Sequence, residues 1–518
     1  MKIVSDPPIA TKLCKMKQRV RWEDPLISDR QIDQTSFVLD DGFSDRQEFS
    51  FLVIGDSGTG YHRSHNPQRK VAEMLLEHQS RCRFLLHTGD VVYLVGSSEY
   101  YPANFIHPYR EFIVGGEKPD KIHYDRMVFK LPILPVPGNH DYYDLPLISG
   151  VLAQATWPLR RLLRTKMSFD IGWHGSHQGQ TYAKAFLDYL QKIDNPNELG
   201  RHLDTYYTAK TNTGRCLRYQ PGLFTRLPNR YYTFRYGGVD FFALDSNTFN
   251  APIPIPATKE GESLRRQLIR RLAELERKKE QIMEISAQLN SSNPDEAEQL
   301  DDYEGKLEQI EEMKLDIEKQ LAADEKSVID WEQLNWLKQR LIASWQDEQV
   351  RGRVIYLHHP PYVTEATKWN QAQTKSIRFH LRWVLDGVAS AVGELAAGRP
   401  LVDLVISGHA HCLEHLRTEN TGHGDSNINW LVCGGSGYSL RRQRKQGTDI
   451  LETEENLLVA RSLLFYGRHD QGKHKRRFYS ALRIDVQPGQ PVKFSVQPLI
   501  LERFRHEWHQ PQAEPFLL

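Results

Sequence analysis

Six short apolar runs, each followed at once by a polar loop, constrain the fold of this chain more than any other feature of its sequence. The runs are EFSFLVIGDSG (48–58), RFLLHTGDVV (83–92), LPILPVPGNHD (131–141), GVDFFALDSN (238–247), RVIYLHHPP (353–361) and LVDLVISGHAH (401–411). Continuously apolar strands are typical of a sheet that is covered on both faces. A helical pattern at 67–80, between the first two runs, indicates a β-α-β unit. We therefore predict an α/β protein whose ligands bind beyond the carboxyl ends of its strands.

The composition excludes several classes of protein. The 518 residues are 39% apolar and 26% charged, with a net charge of +1, so a sizeable core is expected and nucleic acid is not an implied partner. No run approaches the roughly 18 apolar residues of a membrane span, and the first 25 residues lack the apolar stretch of an export signal. The five cysteines are odd in number and widely spaced, which favours reduced thiols. We expect a soluble, cytoplasmic protein with no membrane partner.

The order of the motifs predicts one domain with an extension at each end and two insertions. The predicted parts are an N-terminal extension (1–48), a domain (49–500), an inserted helical lobe (146–230), an inserted antiparallel coiled-coil hairpin (259–325) and a C-terminal tail (501–518). The lobe is rich in aromatic and basic residues. The hairpin is predicted from apolar residues that recur every three, four or seven positions and from a turn near Pro294.

The two arms of the predicted hairpin carry opposite charge. Residues 262–290 contain seven Lys or Arg against five Asp or Glu, whereas 291–325 contain thirteen Asp or Glu against three Lys. Opposite charge favours folding of the arms onto each other, while self-association or a protein partner through 259–325 stays open. We expect the apolar stripes to pack against each other, so that excision of about 262–324 would leave the site at the strand ends working.

Oxygen and imidazole side chains follow five of the predicted strands. They are Asp56 in GDSG, Asp90 and Tyr93 in GDVVY, Asn139 and His140 in GNHD, His358 in HHPP, and His409 and His411 in GHAH. A single Gly-Asp pair is usually a turn or a helix cap. Together, however, carboxylate, amide and imidazole groups suit Fe, Mn or Zn. There are enough of them for two ions, and two ions about 4 Å apart are the usual device for in-line attack on phosphorus.

The ordered series GDxG, GDxxY, GNHD, HxP and GHxH resembles the calcineurin-like metallophosphoesterases and, within them, the purple acid phosphatase branch. The motifs follow the family's order over most of 49–412. The resemblance implies a four-layer α/β/β/α sandwich with a dinuclear metal centre, which hydrolyses phosphomonoesters by attack of a metal-bound hydroxide on phosphorus. A phosphodiesterase with the same centre, or a scaffold protein that recruits partners through the hairpin, is the alternative.

The same resemblance assigns a role to each strand-end residue. It implies that Asp56, Tyr93 and His411 hold the first metal, that Asn139, His358 and His409 hold the second, and that Asp90 bridges them. Many relatives carry a histidine ligand where this chain has Gly58, and Tyr93 would fill that vacancy as a phenolate on ferric iron. The expected ions are therefore Fe with Fe, Zn or Mn. His140 is predicted to assist the leaving group. His359 either faces the cleft or packs beneath the following prolines.

Overall fold

Two β-sheets form the centre of the computed structural model, which describes residues 4–58, 65–145, 175–396, 398–437, 439–452, 456–471 and 474–518. In those residues the larger sheet contains, in spatial order, β13 (Asp449–Glu452), β14 (Leu457–Tyr466), β11 (Leu413–Thr418), β12 (Asn429–Cys433), β10 (Leu404–Ser407), β9 (Gly352–Tyr356), β8 (Val239–Ala243), β7 (Tyr232–Tyr236), β1 (Ile32–Leu39), β6 (Gly214–Tyr219) and β5 (Ala209–Thr211). The smaller sheet contains β18 (Glu507–His509), β17 (Lys493–Phe504), β16 (Arg476–Gln487), β2 (Phe49–Ile54), β3 (Cys82–His87) and β4 (Ile133–Pro135), with β15 (Arg468–His469) beside β16 and β19 (Phe516–Leu517) beside β17.

The central strands of each sheet are parallel, which brings their carboxyl ends to one edge. In the smaller sheet β2 pairs with β3 and β3 with β4, all in parallel. In the larger sheet β8, β9, β10 and β12 form a parallel series. Side chains in the loops after these strands therefore meet at one end of the two sheets.

Helices cover the sheets and form the hairpin. They are α1 (Ile9–Arg19), α2 (Pro25–Ser28), α3 (Pro67–Leu76), α4 (Asn139–Tyr142), α5 (Gln180–Phe186), α6 (Pro196–Tyr206), α7 (Lys259–Ser286), α8 (Pro294–Ala322), α9 (Trp331–Gln346) and α10 (Ala372–Val392). Among the described residues, none of these helices combines the length and the apolar character needed to cross a lipid bilayer.

Alternate residues of the larger sheet pack in opposite directions. Phe241 of β8 and Val354 of β9 belong to the core that the two sheets share. The next residues along, Phe242 and Ile355, pack instead against leucines of α9 and α10 on the outer face. On the smaller sheet, α3 packs against β16 and β17. The layers thus follow the order helix, sheet, sheet, helix, and the predicted α/β/β/α sandwich is confirmed.

The ends of the chain belong to the sheets, which corrects the predicted extension (1–48) and tail (501–518). Strand β1 lies between β6 and β7 in the larger sheet. Strands β18 and β19 both pair with β17 of the smaller one. Strand β1 was not recognisable as an apolar run because it contains the buried polar residues Gln34, Thr35 and Ser36, which hydrogen bonds satisfy.

The predicted lobe (146–230) also contributes to the larger sheet. Residues 146–174 lie outside the described part of the chain. The rest forms α5, α6, β5 and β6, and β6 pairs in parallel with β1. The described part of the lobe therefore contributes β5 and β6 to the larger sheet.

Helices α7 and α8 lie antiparallel, with their apolar residues facing each other. Leu275 of α7 packs with Ile310 and Ile317 of α8 in a cluster distinct from the two cores of the domain. Charged pairs such as Lys279 Nζ with Glu311 Oε1, at 2.7 Å, flank this cluster. However, α8 also lies against the domain, where the Asp316 carboxylate accepts from the first two backbone N–H groups of α10. The hairpin thus packs its apolar stripes on each other and also contacts the domain through polar groups.

Candidate metal centre

The predicted ligands lie in the loops that follow five central strands. Asp56 follows β2, Asp90 and Tyr93 follow β3, Asn139 and His140 begin α4 after β4, His358 follows β9, and His409 and His411 follow β10. All eight side chains are buried. Donor atoms of Asp56, Asp90 and His358 lie within 4.8 Å of one another, as do those of His358, His359 and His409. The two sheets thus bring together residues that are up to 355 positions apart in the sequence.

Four donor atoms form a first group around the Tyr93 hydroxyl. This hydroxyl donates to Asp90 Oδ2 at 2.8 Å and lies 3.1 Å from Asp56 Oδ1. It also lies 3.3 Å from His411 Nε2, which is 3.6 Å from Asp56 Oδ1. Ligands that are each about 2.1 Å from one ion lie roughly 3 to 3.5 Å apart. The spacing of these four atoms therefore fits a single ion between them.

A second group shares the same oxygen of Asp90. His358 Nε2 lies 2.9 Å from Asn139 Oδ1 and 3.3 Å from Asp90 Oδ2. Because His358 Nδ1 lies 2.8 Å from the Thr88 carbonyl oxygen, Nδ1 carries a proton, and Nε2 faces the Asn139 and Asp90 oxygens. Nε2 meets these oxygens either through a proton of its own or, when it is deprotonated, through a cation between them. Asp90 Oδ2 therefore occupies the place of a bridging ligand.

His409 and His359 complete the second group. Their rings are 4.5 Å apart, centre to centre, and His409 Nε2 lies 3.0 Å from the amide nitrogen of Gln373. His359 Nδ1 lies 2.8 Å from the Ser246 hydroxyl. Its Nε2 is buried and has no hydrogen-bond partner within the described ranges. The sequence left two positions open for His359, in the cleft or beneath the following prolines. In the structure His359 lies in the cleft, within the histidine cluster.

The backbone at the centre is left-handed at three of the predicted ligands. Asp56, Asp90 and His409 have φ values of 52°, 55° and 62°. Residues other than glycine adopt this region at a cost of about 1–3 kcal/mol, and such residues cluster at functional sites. The same conformations aim the carboxylates of Asp56 and Asp90 toward Tyr93 rather than toward solvent.

Two glycines allow the loops to approach this closely. A Cβ at Gly138 would lie 2.1 Å from Asp90 Oδ1, so a side chain there would displace the shared carboxylate. A Cβ at Gly58 would lie 2.1 Å from the Val91 carbonyl oxygen. Position 58 therefore has no room for a side chain that could act as a ligand.

Asp141 is a site residue that the sequence analysis missed. Its carboxylate accepts from the backbone N–H groups of Asp90, Val91 and Gly138 at 2.9–3.2 Å. It thus holds the loop that carries Asp90 against the loop that carries Asn139. Asp141 is the last residue of the GNHD motif. Its role could not be predicted from that motif, because its hydrogen bonds join two loops that are distant in the sequence.

The electrostatics of the centre favour a cation. Burial, with the nearby Asp90 carboxylate, raises the pKa of Asp56 to about 8, against an opposing effect of His358. Burial also acts to raise the pKa of Asp90, but His358 and His140 outweigh it and hold that pKa below its usual range. Two adjacent buried carboxyl groups cannot both ionise without positive charge nearby. The donor set and its charge therefore fit a metal site.

His140 lies at the mouth of the centre. Its Nδ1–H donates to the Leu94 carbonyl at 2.6 Å, so its Nε2 points away from that anchor. Its backbone N–H donates to Asp90 Oδ1 at 2.9 Å. Burial would lower the pKa of His140, but Asp90 and Glu312 outweigh that effect and raise it to about 9. His140 is thus positioned to donate a proton without occupying the donor groups described above.

Helix α8 brings further residues that the sequence analysis did not place at the site. Glu312 lies between His140 and the buried Lys368, and Glu308 is buried one turn earlier. The acidic bias of 291–325 was visible in the sequence. The surface against which this acidic helix packs was not visible, because a charge pattern alone does not identify the cations that the helix contacts.

No family model matches this sequence, and no curated protein matches it. Solved structures that it is similar to include a purple acid phosphatase from yellow lupin (Lupinus luteus) seeds, with 10% identity and a TM-score of 0.41 over 92% of this chain and 54% of that one. They also include GAP50, the anchor in the inner membrane complex of Plasmodium (12%, TM-score 0.37, 90% of this chain and 89% of that one), and PhoD (11%, TM-score 0.37, 91% and 69%). The chain spans about half the length of the lupin protein. At these values the likenesses carry no argument about activity, which is argued from the site.

Proposed function

We propose that this protein is a phosphoesterase with a dinuclear metal centre and that it hydrolyses phosphomonoesters. The observation that carries the proposal is the position of Asp90 Oδ2, which lies 2.8 Å from the Tyr93 hydroxyl and 3.3 Å from His358 Nε2. One carboxylate oxygen is thus shared by two groups of donors, which is the arrangement that two close ions need. The proposed ions are iron together with a second iron, zinc or manganese.

Each residue of the centre has a distinct task in this proposal. Asp56, Tyr93 and His411 hold one ion, Asn139, His358 and His409 hold the other, and Asp90 lies between them. When bound, the two ions supply positive charge to the phosphoryl oxygens and acidify water. Asp141 keeps Asp90 in place through three backbone N–H groups.

His140 serves the leaving group. Because its Nδ1–H is engaged by the Leu94 carbonyl, the proton that it can give is the one on Nε2. That atom faces the mouth of the centre, where an ester oxygen would depart. Transfer of this proton, or a hydrogen bond from it, stabilises the alkoxide that forms as the P–O bond breaks.

Replacement of Asp90 by asparagine tests the proposal. We expect Asp90→Asn to lose or scramble the metal pair and to lower kcat/KM for phosphomonoesters by roughly 10³-fold or more, about 4 kcal/mol. Asp45→Asn, in an exposed loop before β2, is the matched control and should retain both metal and activity. Metal content by elemental analysis and rates on a panel of monoesters and diesters are the measurements. Full metal content and full activity in Asp90→Asn would contradict the proposal, and faster turnover of diesters would make the protein a phosphodiesterase.

A further inference from the structure

Helix α8 places a carboxylate at the mouth of the metal centre. Glu312 Oε1 lies 3.2 Å from His140 Nε2, and Glu312 Oε2 accepts from Lys368 Nζ at 2.6 Å. Both oxygens are therefore held by groups that carry or can carry positive charge. His140 is also the residue that would contact the leaving group, so Glu312 stands where part of a substrate would have to lie.

Lys368 is a buried cation whose charge needs an anion close by. Its side chain is 1% exposed, and it follows the loop that begins at His358 and His359. An isolated ammonium group in such a position is strongly disfavoured unless it is paired. In the structure Glu312 supplies that pairing. When α8 is not docked, an anionic ligand can take the place of Glu312 beside Lys368.

The contacts that dock α8 onto the domain are mostly polar. Near its start, Glu298 and Asp302 pair with four cations in or beside the smaller sheet, which are Arg468, Lys475, Arg477 and Arg503. Near its end, Lys319 pairs with Asp6. Ile310 and Ile317 of α8 pack with Leu275 of α7 in a cluster of their own and not in the cores of the domain. This apolar cluster would therefore stay together if the hairpin left the domain.

The buried side chain of Glu308 opposes docking of α8 on the domain. Both carboxyl oxygens of Glu308 are buried and lack a hydrogen-bond partner in the part of the chain that the structure describes. A buried polar group without partners costs about 1–3 kcal/mol. This penalty opposes the ion pairs that dock α8 on the domain.

We propose that Glu312 occupies the position of the phosphate group of the substrate, so that α8 is an internal competitor; once α8 has left, Lys368 binds the phosphoryl oxygens and His140 binds the ester oxygen. This inference rests on the proposed function of the centre. A phosphomonoester group carries up to two negative charges, which matches the two cationic partners that Glu312 now engages. Lys368 is thus assigned as a substrate-binding residue and the hairpin as a removable cover.

Binding of inorganic phosphate to the metal-loaded full chain tests the proposal. Glu312→Gln keeps the shape of the side chain and removes its charge, so α8 should compete less well for Lys368. By calorimetry we expect phosphate to bind at least about tenfold more tightly to Glu312→Gln than to the wild type, because a larger fraction of molecules is uncovered. In the double variant Glu312→Gln/Lys368→Met this gain should disappear.

Glu311→Gln is the matched control. Glu311 precedes Glu312 on the same helix but pairs with Lys279 of α7, within the hairpin. This variant should bind phosphate with wild-type affinity. Unchanged phosphate affinity in Glu312→Gln, at full metal content, would overturn the proposal. So would loss of metal from that variant, because Glu312 would then belong to the metal site.

A covalent lock provides a second test that does not depend on weakening the hairpin. A Cβ at Gly305 of α8 would lie 2.9 Å from Ser439 Cβ, so cysteines at both positions can be bridged after a shift of about 1 Å. With exposed Cys14 replaced by serine, oxidised Gly305→Cys/Ser439→Cys should lose phosphate binding and regain it on reduction. Phosphate binding by the oxidised form equal to that of the reduced form would overturn the proposal.

These binding measurements also separate this inference from the function on which it rests. Phosphate binding does not require turnover. If Glu312→Gln binds phosphate more tightly but no ester is hydrolysed, the anion site stands and the proposed catalytic function is contradicted. If esters are hydrolysed but neither Glu312→Gln nor the lock changes phosphate binding, the function stands and the internal competitor is overturned.

Discussion

At the scale of single residues, the proposed role of Tyr93 as a ligand constrains which ions the centre would bind. Burial, together with the carboxylates of Asp90 and Asp56, raises the pKa of Tyr93 well above its usual range. In the structure the phenol keeps its proton and donates it to Asp90. A phenolate ligand therefore requires an ion that can replace this proton, and a trivalent ion does so more readily than a divalent one. No ligand side chain fits at Gly58, so in the proposed centre Tyr93 is the donor beside Asp56.

Substitution of Tyr93 by phenylalanine tests the nature of the ion. If the phenolate binds ferric iron, the oxidised wild-type protein should absorb visible light through charge transfer, and Tyr93→Phe should abolish this band. The two residues differ by one oxygen, so the fold should be retained, and activity should fall by less than in Asp90→Asn. An absorption spectrum with metal analysis is the measurement. A colourless, oxidised and active wild-type protein loaded with two metals would contradict the ferric assignment but not the phosphoesterase.

At the scale of elements, α8 is held to the smaller sheet by a buried network of charges. Burial acts to raise the pKa of Asp302, but Arg477, Arg468 and Lys475 outweigh it and hold that pKa well below its usual range. For a carboxyl group with a lowered pKa, the stabilisation is present above the unfolded value of about 4 and is lost as the pH falls through the folded one. Docking of α8 should therefore be fully supported at neutral pH and weaken under acid.

Hydrogen exchange of α8 measures this directly. We expect Asp302→Asn to weaken docking by about 3 kcal/mol at pH 7, or roughly 100-fold in the exchange rate of the residues that follow it in α8, because three buried cations lose a partner. In the wild type, acidification should weaken docking progressively from about pH 4 downward, and it approaches the same effect as the pH nears the lowered pKa of Asp302. Glu280→Gln, exposed on α7, is the control and should leave the exchange rate unchanged. Equal protection of α8 in Asp302→Asn and in the wild type would refute the role of this network.

At the scale of the whole molecule, the sequence predicted what is local and missed what depends on distant partners. The layers and the strand-end residues were predictable because each apolar run and its loop lie within about eleven residues, as in 48–58 and 131–141. Strand β1 was not predictable, because the buried polar residues Gln34 and Thr35 interrupt its apolar pattern, although hydrogen bonds to Val20 and Asp33 satisfy them. Docking of α8 was not predictable either, because the residues that pair across it are far apart in the sequence: Asp302 and Arg477 are separated by 175 residues.

The most direct test of the central claim is to locate the metals by anomalous diffraction from crystals of the metal-loaded protein. The account predicts two peaks about 4 Å apart, one on each side of Asp90 Oδ2. One peak should lie among Asp56, Tyr93 and His411, and the other beside Asn139 and His358. A single peak, or two peaks that do not share Asp90, would contradict the dinuclear centre from which the proposed function is argued.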